Sequence, residues 1–153
     1  MVQGSNRMST RKLSKADFET LANFRYQLRR FLRFSEEVTR RHGVTPLQYQ
    51  LMLQLKGFPG RDWASVSELA ERLQAKHHGV VALVSRCEAA GLVTRSTSIN
   101  DQRRVEVRLS AAGLQCLEQL ARLHRDELQS VVGEFAVPGF DGAGTGRTAA
   151  PPR

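Results

Sequence analysis

Apolar residues recur at helical spacing along the first part of the chain. From about residue 15 to residue 41, large apolar side chains return every three or four positions behind Ser14, a residue type that caps helices. They are Phe18, Leu21, Phe24, Leu28, Phe31 or Leu32, and Val38. The pattern predicts a long first helix that carries more large apolar residues than one surface helix needs.

Two shorter helical patterns follow, and each begins with a capping box. In "VTPLQYQLMLQLKG", Thr45 precedes a proline at the first helical position, and Gly57 ends the pattern. In "SVSELAERL", Ser65 and Glu68 form the box, and apolar residues follow at i, i+3, i+4 and i+7. We therefore expect a second helix and a short, one-sided third helix.

A fourth helical pattern, "HHGVVALVSRCEAAG", begins within three residues of the third and ends at Gly91 as its C-cap. Its apolar stripe is Val80, Leu83, Val84 and Cys87. Two short helices joined this tightly cross at a steep angle, which is the geometry of a helix-turn-helix.

The second helix of this pair is expected to expose groups that suit the major groove of DNA. The exposed residues would be Lys76, His77, His78, Gly79, Val81, Ala82 and Ser85. A cation, two imidazoles and small groups that fit a thymine methyl can all contact base edges. Gly79 in the first turn costs about 1 kcal/mol of helix stability relative to alanine. Either the backbone approaches DNA closely there, or the helix is simply less stable.

A strand pattern follows the helix-turn-helix. "LVTRSTS" reads as a strand, "INDQ" as a turn and "RVEVRLS" as the returning strand. In the returning strand we expect inward and outward side chains to alternate. The inward residues would be Val105, Val107 and Leu109, and the outward ones Glu106 and Arg108. The predicted fold is therefore mostly α with a small β-hairpin wing, a winged helix-turn-helix.

Two adjacent arginines stand at the tip of this wing. Arg103 and Arg104 would reach a neighbouring minor groove, whose negative potential attracts arginine. Asp101, two residues earlier, could pair with the Arg103 guanidinium and orient it. The alternative is a solvated hairpin tip with ordinary surface charges.

The overall charge favours an acidic partner. Lys and Arg number 23 against 15 Asp and Glu, a formal net charge of +8. Such a balance suits nucleic acid or an anionic membrane surface. The chain has no run of about 18 apolar residues that could span a bilayer, and its polar start lacks the apolar region of a signal peptide. We expect a cytoplasmic protein, nucleoid-associated when bound to DNA.

Residue patterns for catalysis or metal binding are lacking in the sequence. We find no glycine-rich phosphate loop, no nucleophile with a base and no paired carboxylates, so an enzyme is not expected. The histidines, at 42, 77, 78 and 124, have no partners at ligand spacing, so neither a metal nor another cofactor is expected. Cys87 and Cys116 occupy apolar helical positions and are interpreted as small buried residues rather than a disulfide.

Three segments in order resemble one protein family. "SVSELAERL", "LVSRCEAAGLVTR" and "DQRRVEVRLSAAG" resemble the DNA-binding lobe of the MarR family of bacterial and archaeal transcription regulators. The wing motif of that family, D-x-R followed by V-x-L-[TS]-x-x-G, is met at Asp101, Arg103, Val107, Leu109, Ser110 and Gly113. The resemblance extends more loosely over about residues 15–133.

The resemblance implies a transcriptional regulator that binds double-stranded DNA as a homodimer at a pseudo-palindromic operator. Members usually repress, and many release DNA when a small, often aromatic, molecule binds. DNA contacts would come from Lys76, His77, His78, Gly79, Ala82, Arg86, Arg95, Arg103 and Arg104. For Arg86 the alternative is an ion pair between helix and wing. The alternative function is a winged-helix module that binds protein and lacks specific DNA binding.

The resemblance and the apolar patterns also divide the chain. We expect a flexible basic tail at 1–13, a regulator domain at 14–137 and a disordered Gly/Pro-rich tail at 138–153. Within the regulator domain, the DNA-binding lobe would span about 45–110, and the dimerisation helices about 15–41 and 111–133. The dimerisation residues would include Phe18, Leu21, Leu117, Leu120 and Leu128. Tyr26, Tyr49, Met52 and Trp63 could line a ligand pocket or could equally be core.

Overall fold

The computed structural model describes residues 11–131 and 138–139. Five helices and a three-stranded antiparallel sheet lie within them, which confirms the predicted mostly α fold with a small wing. In chain order the elements are α1 (Lys15–Arg41), α2 (Pro46–Lys56), β1 (Trp63–Ala64), α3 (Val66–Leu73), α4 (His77–Ala89), β2 (Val93–Thr97), β3 (Val105–Leu109) and α5 (Ala111–Ser130). The predicted tails lie almost wholly outside the described residues.

Side-chain caps set the start of four helices. The hydroxyl of a Ser or Thr accepts a hydrogen bond from the backbone N–H three residues later, which satisfies a donor that the helix cannot use. The capping residues are Ser14, Thr45, Ser65 and Ser110. At α4 the cap residue Lys76 makes no such bond. The C-cap of α4 is Ala90, not Gly91 as predicted, and Gly91 follows it with a φ of 74°.

The wing has one more strand than the sequence predicted. The sheet order is β1-β3-β2, and β1 pairs Trp63 with Arg108 and Ala64 with Val107. A two-residue strand leaves no alternation to detect, so only its partner β3 makes it visible. This extra strand covers an edge of the hairpin that would otherwise present unpaired backbone groups.

The predicted alternation along β3 holds only in part. Val107 is fully buried and Leu109 is half-buried, but Val105 remains 39% exposed and does not face the core. Val105 is the β3 residue nearest the wing tip, where the hairpin extends past the helices. The Glu106 side chain, although on the outer face, is only 12% exposed because Arg104 and Arg108 flank it.

One core joins the helices to the sheet. The predicted stripe of α4 is buried, and so are Tyr49, Leu51, Met52 and Leu55 of α2. The largest fully buried side chains are Leu51, Met52, Leu55, Leu69, Leu120, Val80, Val84, Val93, Val107, Thr39 and Cys87. The helix-turn-helix and the wing therefore rest on a well-packed support.

Gly113 allows the closest approach within this core. A Cβ added there would lie 1.9 Å from the carbonyl oxygen of Leu92. Ser110 begins the same turn: its N–H donates to the Leu92 carbonyl and its hydroxyl to the Gly91 carbonyl. The last glycine of the wing motif thus lets α5 begin directly against the end of α4.

Two of the residues predicted for dimerisation are buried inside the protomer. Leu117 is 3% exposed and Leu120 is fully buried, because α5 packs on α1 and α2 in the same chain. The other three remain exposed, with Phe18 at 55%, Leu21 at 41% and Leu128 at 39%. The candidate dimer face therefore lies on the outer side of α1 and near the end of α5.

Candidate nucleic-acid interface

The third and fourth helices meet through a tight left-handed link. Gln74, the C-cap of α3, adopts a φ of 50°, and Lys76 in extended conformation begins α4 two residues later. This link turns the chain sharply enough for Val80, Leu83 and Val84 to pack inward. The predicted helix-turn-helix is therefore present, with α4 as the candidate recognition helix.

The exposed face of α4 matches the sequence prediction. Residues 76–79 are exposed, as are Val81 and Ala82, whereas Ser85 is half-buried. Since Lys76 provides no side-chain cap, the positive end of the helix dipole is left to an outside acceptor. Side chains for base contact and a helix end that favours anions thus occur at the same place.

Gly79 is not required by the packing of the chain itself. A Cβ added there would meet no atom within 4 Å among the described residues, and its φ lies outside the left-handed region. The glycine is therefore unexplained by folding. Close approach of a partner to the backbone, one of the two alternatives from the sequence, would explain it.

The wing tip is shaped by Asp101, although not in the predicted way. An Asp101 carboxylate oxygen accepts a hydrogen bond from the backbone N–H of Arg103 at 3.0 Å, and its carbonyl accepts from the N–H of Arg104. Across residues 11–131 no ion pair joins Asp101 to the Arg103 guanidinium. Asp101 therefore sets the backbone of the turn and orients Arg103 only indirectly.

The two tip arginines differ in their surroundings. The Arg104 guanidinium donates to the Ser98 hydroxyl at 3.1 Å and to the Glu106 carboxylate at 3.3 Å. Within the described part of the chain, the Arg103 guanidinium has no hydrogen-bond or ion-pair partner. Arg103 is thus available to an outside anion, whereas Arg104 already takes part in the structure of the wing.

An ion pair does join α4 to the wing, but it does not use Arg86. Arg95 of β2 donates to the Glu88 carboxylate at 2.9 and 3.3 Å. The hydrogen bond from Arg95 holds the pKa of the Glu88 carboxyl below its ordinary value. Arg86 is exposed and has no ion-pair partner among residues 11–131, which removes the alternative considered for it.

The recognition helix and the wing border a common cleft. Its volume is about 510 Å³, and it lies open to solvent between the starts of α3 and α4 and the wing tip. Its lining residues are Ser65, Val66, Ser67, His77, Asp101, Arg103, Arg104 and Val105. The hydroxyls, the imidazole and the two guanidinium groups of this cleft can donate hydrogen bonds to the phosphate oxygens of a nucleic-acid backbone.

A cluster of arginines around the chain's one tryptophan was not predicted from the sequence. The guanidinium carbons of Arg61, Arg104 and Arg108 lie 3.8, 4.7 and 5.9 Å from the centroid of the Trp63 ring. We call these four residues the Trp63 cluster. Arg61 also pairs with Glu68, and Glu106 bridges Arg104 and Arg108. No local sequence pattern predicts the Trp63 cluster, because β1 and β3 come together only in the folded sheet.

The four residues considered for a ligand pocket lie in different surroundings. Tyr49 and Met52 belong to the core, which agrees with the alternative interpretation for them. Tyr26 is 59% exposed on α1, and Trp63 is half-buried in its cluster of arginines. Their positions therefore do not define one cavity.

His124 takes a structural position between α1, α2 and α5. Its Nε2 lies 2.8 Å from the Ser35 hydroxyl, and its Nδ1 lies 2.7 Å from the Leu120 carbonyl oxygen. Its ring stacks on Tyr49, with 4.3 Å between centroids. A histidine considered for metal binding is thus a satisfied buried group that joins three helices.

Several other chemistries find no support in the residues that the structure describes. Across 11–131 and 138–139, no three His, Cys, Asp or Glu side chains are grouped as a metal site, and no helix has the length and apolar character to cross a membrane. Cys87 and Cys116 are free thiols. Burial raises the pKa of the Cys87 thiol to about 11, which makes its reactive thiolate scarce.

A helix-turn-helix, a wing and a basic cleft between them define the class of winged-helix DNA-binding proteins. Comparison with known proteins indicates which family within this class the chain resembles. Residues 42–104 match the model of the MarR family. This segment, which contains the helix-turn-helix and most of the wing, is therefore similar to MarR-family proteins, the family that the sequence motifs resemble.

Two curated relatives cover parts of the chain. A protein assigned as transcriptional regulator of the hcr operon in Thauera aromatica is 31% identical over 96 residues, which are 63% of this chain and 56% of that protein. The transcriptional repressor MdtR of Bacillus subtilis is 31% identical over 77 residues, 50% of this chain and 48% of that protein. The chain thus spans about half the length of the curated relatives it matches.

Solved structures share the fold over most of the chain. The MarR-family regulator AbsC of Streptomyces coelicolor has a TM-score of 0.70 at 22% identity, covering 84% of this chain and 86% of its own. A mutant of MepR from S. aureus, bound to an oligodeoxyribonucleotide, has a TM-score of 0.61 at 18% identity, covering 82% and 86%. These similarities establish the fold.

Proposed function

We propose that this protein binds double-stranded DNA sequence-specifically as a homodimer and regulates transcription. The observation that carries the proposal is the shared cleft, in which His77 of α4 and Arg103 of the wing face the same space. In this arrangement α4 enters the major groove and the wing extends toward the neighbouring minor groove. The MepR structure with bound oligodeoxyribonucleotide has the same fold and supports this interpretation.

The distribution of charge agrees with this orientation. Lys76 at the start of α4, the exposed Arg86 and the unpaired Arg103 are the cations most accessible to phosphates among the predicted contacts. Arg95 and Arg104 are each engaged with a carboxylate, so we assign them a smaller share of the binding energy. Binding energy of this kind falls steeply as salt rises.

The dimer is proposed from an exposed apolar surface. Six large apolar side chains of α1 and α5 are between 39% and 59% exposed, namely Phe18, Leu21, Tyr26, Leu32, Leu123 and Leu128. A second copy of the chain would cover them, as the family resemblance implies. Two copies would also present two recognition helices to successive turns of an operator, about 34 Å apart.

The proposal is tested by binding to a labelled duplex from the DNA upstream of the protein's own gene, over a range of salt concentrations. The expected result is tight binding with two protomers per site and much weaker binding to an unrelated duplex. Arg103→Ala should weaken binding. It should also reduce, by about one, the magnitude of the slope of the logarithm of the binding constant against the logarithm of the salt concentration.

Arg125→Ala is the matched control. Arg125 is a similarly exposed arginine, but it lies about 21 Å along α5 from the base of the wing. Its replacement should leave DNA binding unchanged. Weak binding that is indifferent to sequence and lost at modest salt would contradict the proposal and favour a winged-helix module that binds protein.

Repression, and its release by a small aromatic molecule, are the finer parts of the proposal. They are supported by the similarity to MdtR, which is a transcriptional repressor, and by the behaviour that the family resemblance implies. A reporter gene placed behind the bound duplex should be expressed less when the protein is present. Simple phenols added to the protein–DNA complex should release the duplex if the effector belongs to that class.

A further inference from the structure

The Trp63 cluster is built on the outer face of the wing sheet. Trp63 pairs in register with Arg108, Glu106 lies on the same face of β3, and Arg104 stands directly before that strand. Three guanidinium groups therefore surround one indole ring. Cation–π contacts of this kind hold both partners in a restricted geometry.

Arg104 connects this cluster to the tip of the wing. Its backbone carbonyl accepts a hydrogen bond from the N–H of Ser98 at 2.9 Å, and its own N–H donates to the Asp101 carbonyl at 3.0 Å. Its guanidinium binds the Ser98 hydroxyl and lies over the Trp63 ring. Arg104 thus joins both sides of the tip to a side chain of a different strand.

Arg103, whose guanidinium has no partner among the described residues, directly precedes Arg104 in the chain. Since its backbone N–H is held by the Asp101 carboxylate, the direction of the Arg103 side chain follows from the orientation of the tip. A hairpin tip without side contacts samples many orientations, and an arginine on it would lose entropy on binding.

We propose that Trp63 is a positioning residue for DNA binding. By holding Arg104 against its ring, it keeps the wing tip in the orientation that presents Arg103 to the minor groove. The inference rests on the proposed DNA-binding function and adds a residue outside the tip and outside the recognition helix.

A double-mutant cycle on the upstream duplex tests the inference with wild type, Trp63→Ala, Arg103→Ala and the double variant. Trp63→Ala should weaken binding by about tenfold. In the Arg103→Ala background the same change should have almost no further effect, because the group that Trp63 positions is gone. Trp63→Phe, which keeps a ring face, should restore most of the affinity.

Arg104→Lys tests the same connection without altering the tryptophan. Lysine keeps the positive charge but loses the planar group that lies over the ring and reaches Ser98. It should weaken binding as Trp63→Ala does and be equally non-additive with Arg103→Ala. It should also shift the fluorescence of the free protein, in which Trp63 is the only tryptophan, whereas Arg103→Ala should not.

The outcomes separate this inference from the proposed function. If the wild-type protein binds the duplex and both Trp63→Ala and Arg104→Lys bind it equally well, the positioning role is wrong and DNA binding stands. If the losses from Trp63→Ala and Arg103→Ala add, Trp63 acts on its own and the positioning role is also wrong. If the wild-type protein binds no duplex, the proposed function itself fails.

Discussion

Arg95 of the wing and Glu88 of the recognition helix form a two-point ion pair, with nitrogen to oxygen distances of 2.9 and 3.3 Å. The pair joins the two elements that we propose to contact DNA. It also places a carboxylate beside the basic surface, where it competes with phosphate for the Arg95 guanidinium.

Glu88→Gln should therefore strengthen DNA binding at low salt. The substitution removes one negative charge and frees Arg95 for phosphate. The slope of the logarithm of the binding constant against the logarithm of the salt concentration should therefore increase in magnitude by about one. Thermal stability should change little, because exposed ion pairs contribute little. Titration of duplex in several salt concentrations measures both effects. Glu118→Gln, an exposed glutamate of α5, is the control and should strengthen binding less. Weaker binding by Glu88→Gln would show instead that the pair orients the wing.

Gly79→Ala should separate folding from DNA binding. An added Cβ meets no atom of the described chain, so the helix should gain up to about 1 kcal/mol in the free energy of unfolding. The same methyl group stands on the exposed face of α4 and should weaken binding by hindering close approach of the backbone to DNA. Denaturant unfolding and duplex titration measure the two quantities. A variant that is more stable and binds unchanged would exclude the close approach.

Leu21→Asp should disrupt the homodimer. Leu21 is 41% exposed on α1, and a charge there would be buried in the proposed interface at high cost. Sedimentation velocity should show monomers, and operator binding should weaken because both half-sites are no longer held together. Leu47→Asp, at a 50% exposed leucine of α2, is the matched control and should remain dimeric. If both variants stay dimeric, the α1 face is not the interface.

Acid should weaken the start of α3 through Glu68. Burial by itself would raise the pKa of the Glu68 carboxyl, but the N–H and hydroxyl of Ser65 and the Arg61 guanidinium together hold that pKa below its ordinary value. A carboxyl with a lowered pKa stabilises the folded state above its ordinary pKa, and that stabilisation is lost as pH falls through the folded-state value. Glu68→Gln keeps the capping geometry without the charge. The difference in melting temperature between wild type and Glu68→Gln should be present at pH 7 and shrink as pH falls through the lowered pKa of Glu68 in the folded state. A difference that is constant with pH would contradict the charge argument.

Features that depend on neighbours along the chain could be predicted well. The starts of four helices follow from their capping residues, the α4 stripe from its periodicity, and the hairpin from its alternation and turn. The wing motif also located Arg103 at the tip, where its guanidinium is exposed and unpaired within the described residues. Capping, periodicity and turn formation act over a few residues, so a short stretch of sequence contains all the interacting groups.

Features that depend on distant residues were missed or assigned to the wrong side chain. The ion pair between helix and wing uses Glu88 and Arg95 rather than Arg86, and Leu117 and Leu120 fill the protomer core instead of a dimer face. The sequence alone does not distinguish one charged side chain from another as the ion-pair partner, or one leucine of α5 from another as the buried one. Only the rotation of each helix about its axis, set by packing against other elements, chooses between them.

The sequence by itself determined that this chain builds a helix-turn-helix with a basic wing, because local hydrogen bonds and apolar periodicity suffice for those elements. Only the tertiary structure decided which of the two tip arginines is already bound within the wing. β1 must first pair with β3 to bring Trp63 over Arg104, across more than forty positions of sequence. Contact between such distant side chains arises from the packed sheet, and no local pattern of residues encodes it.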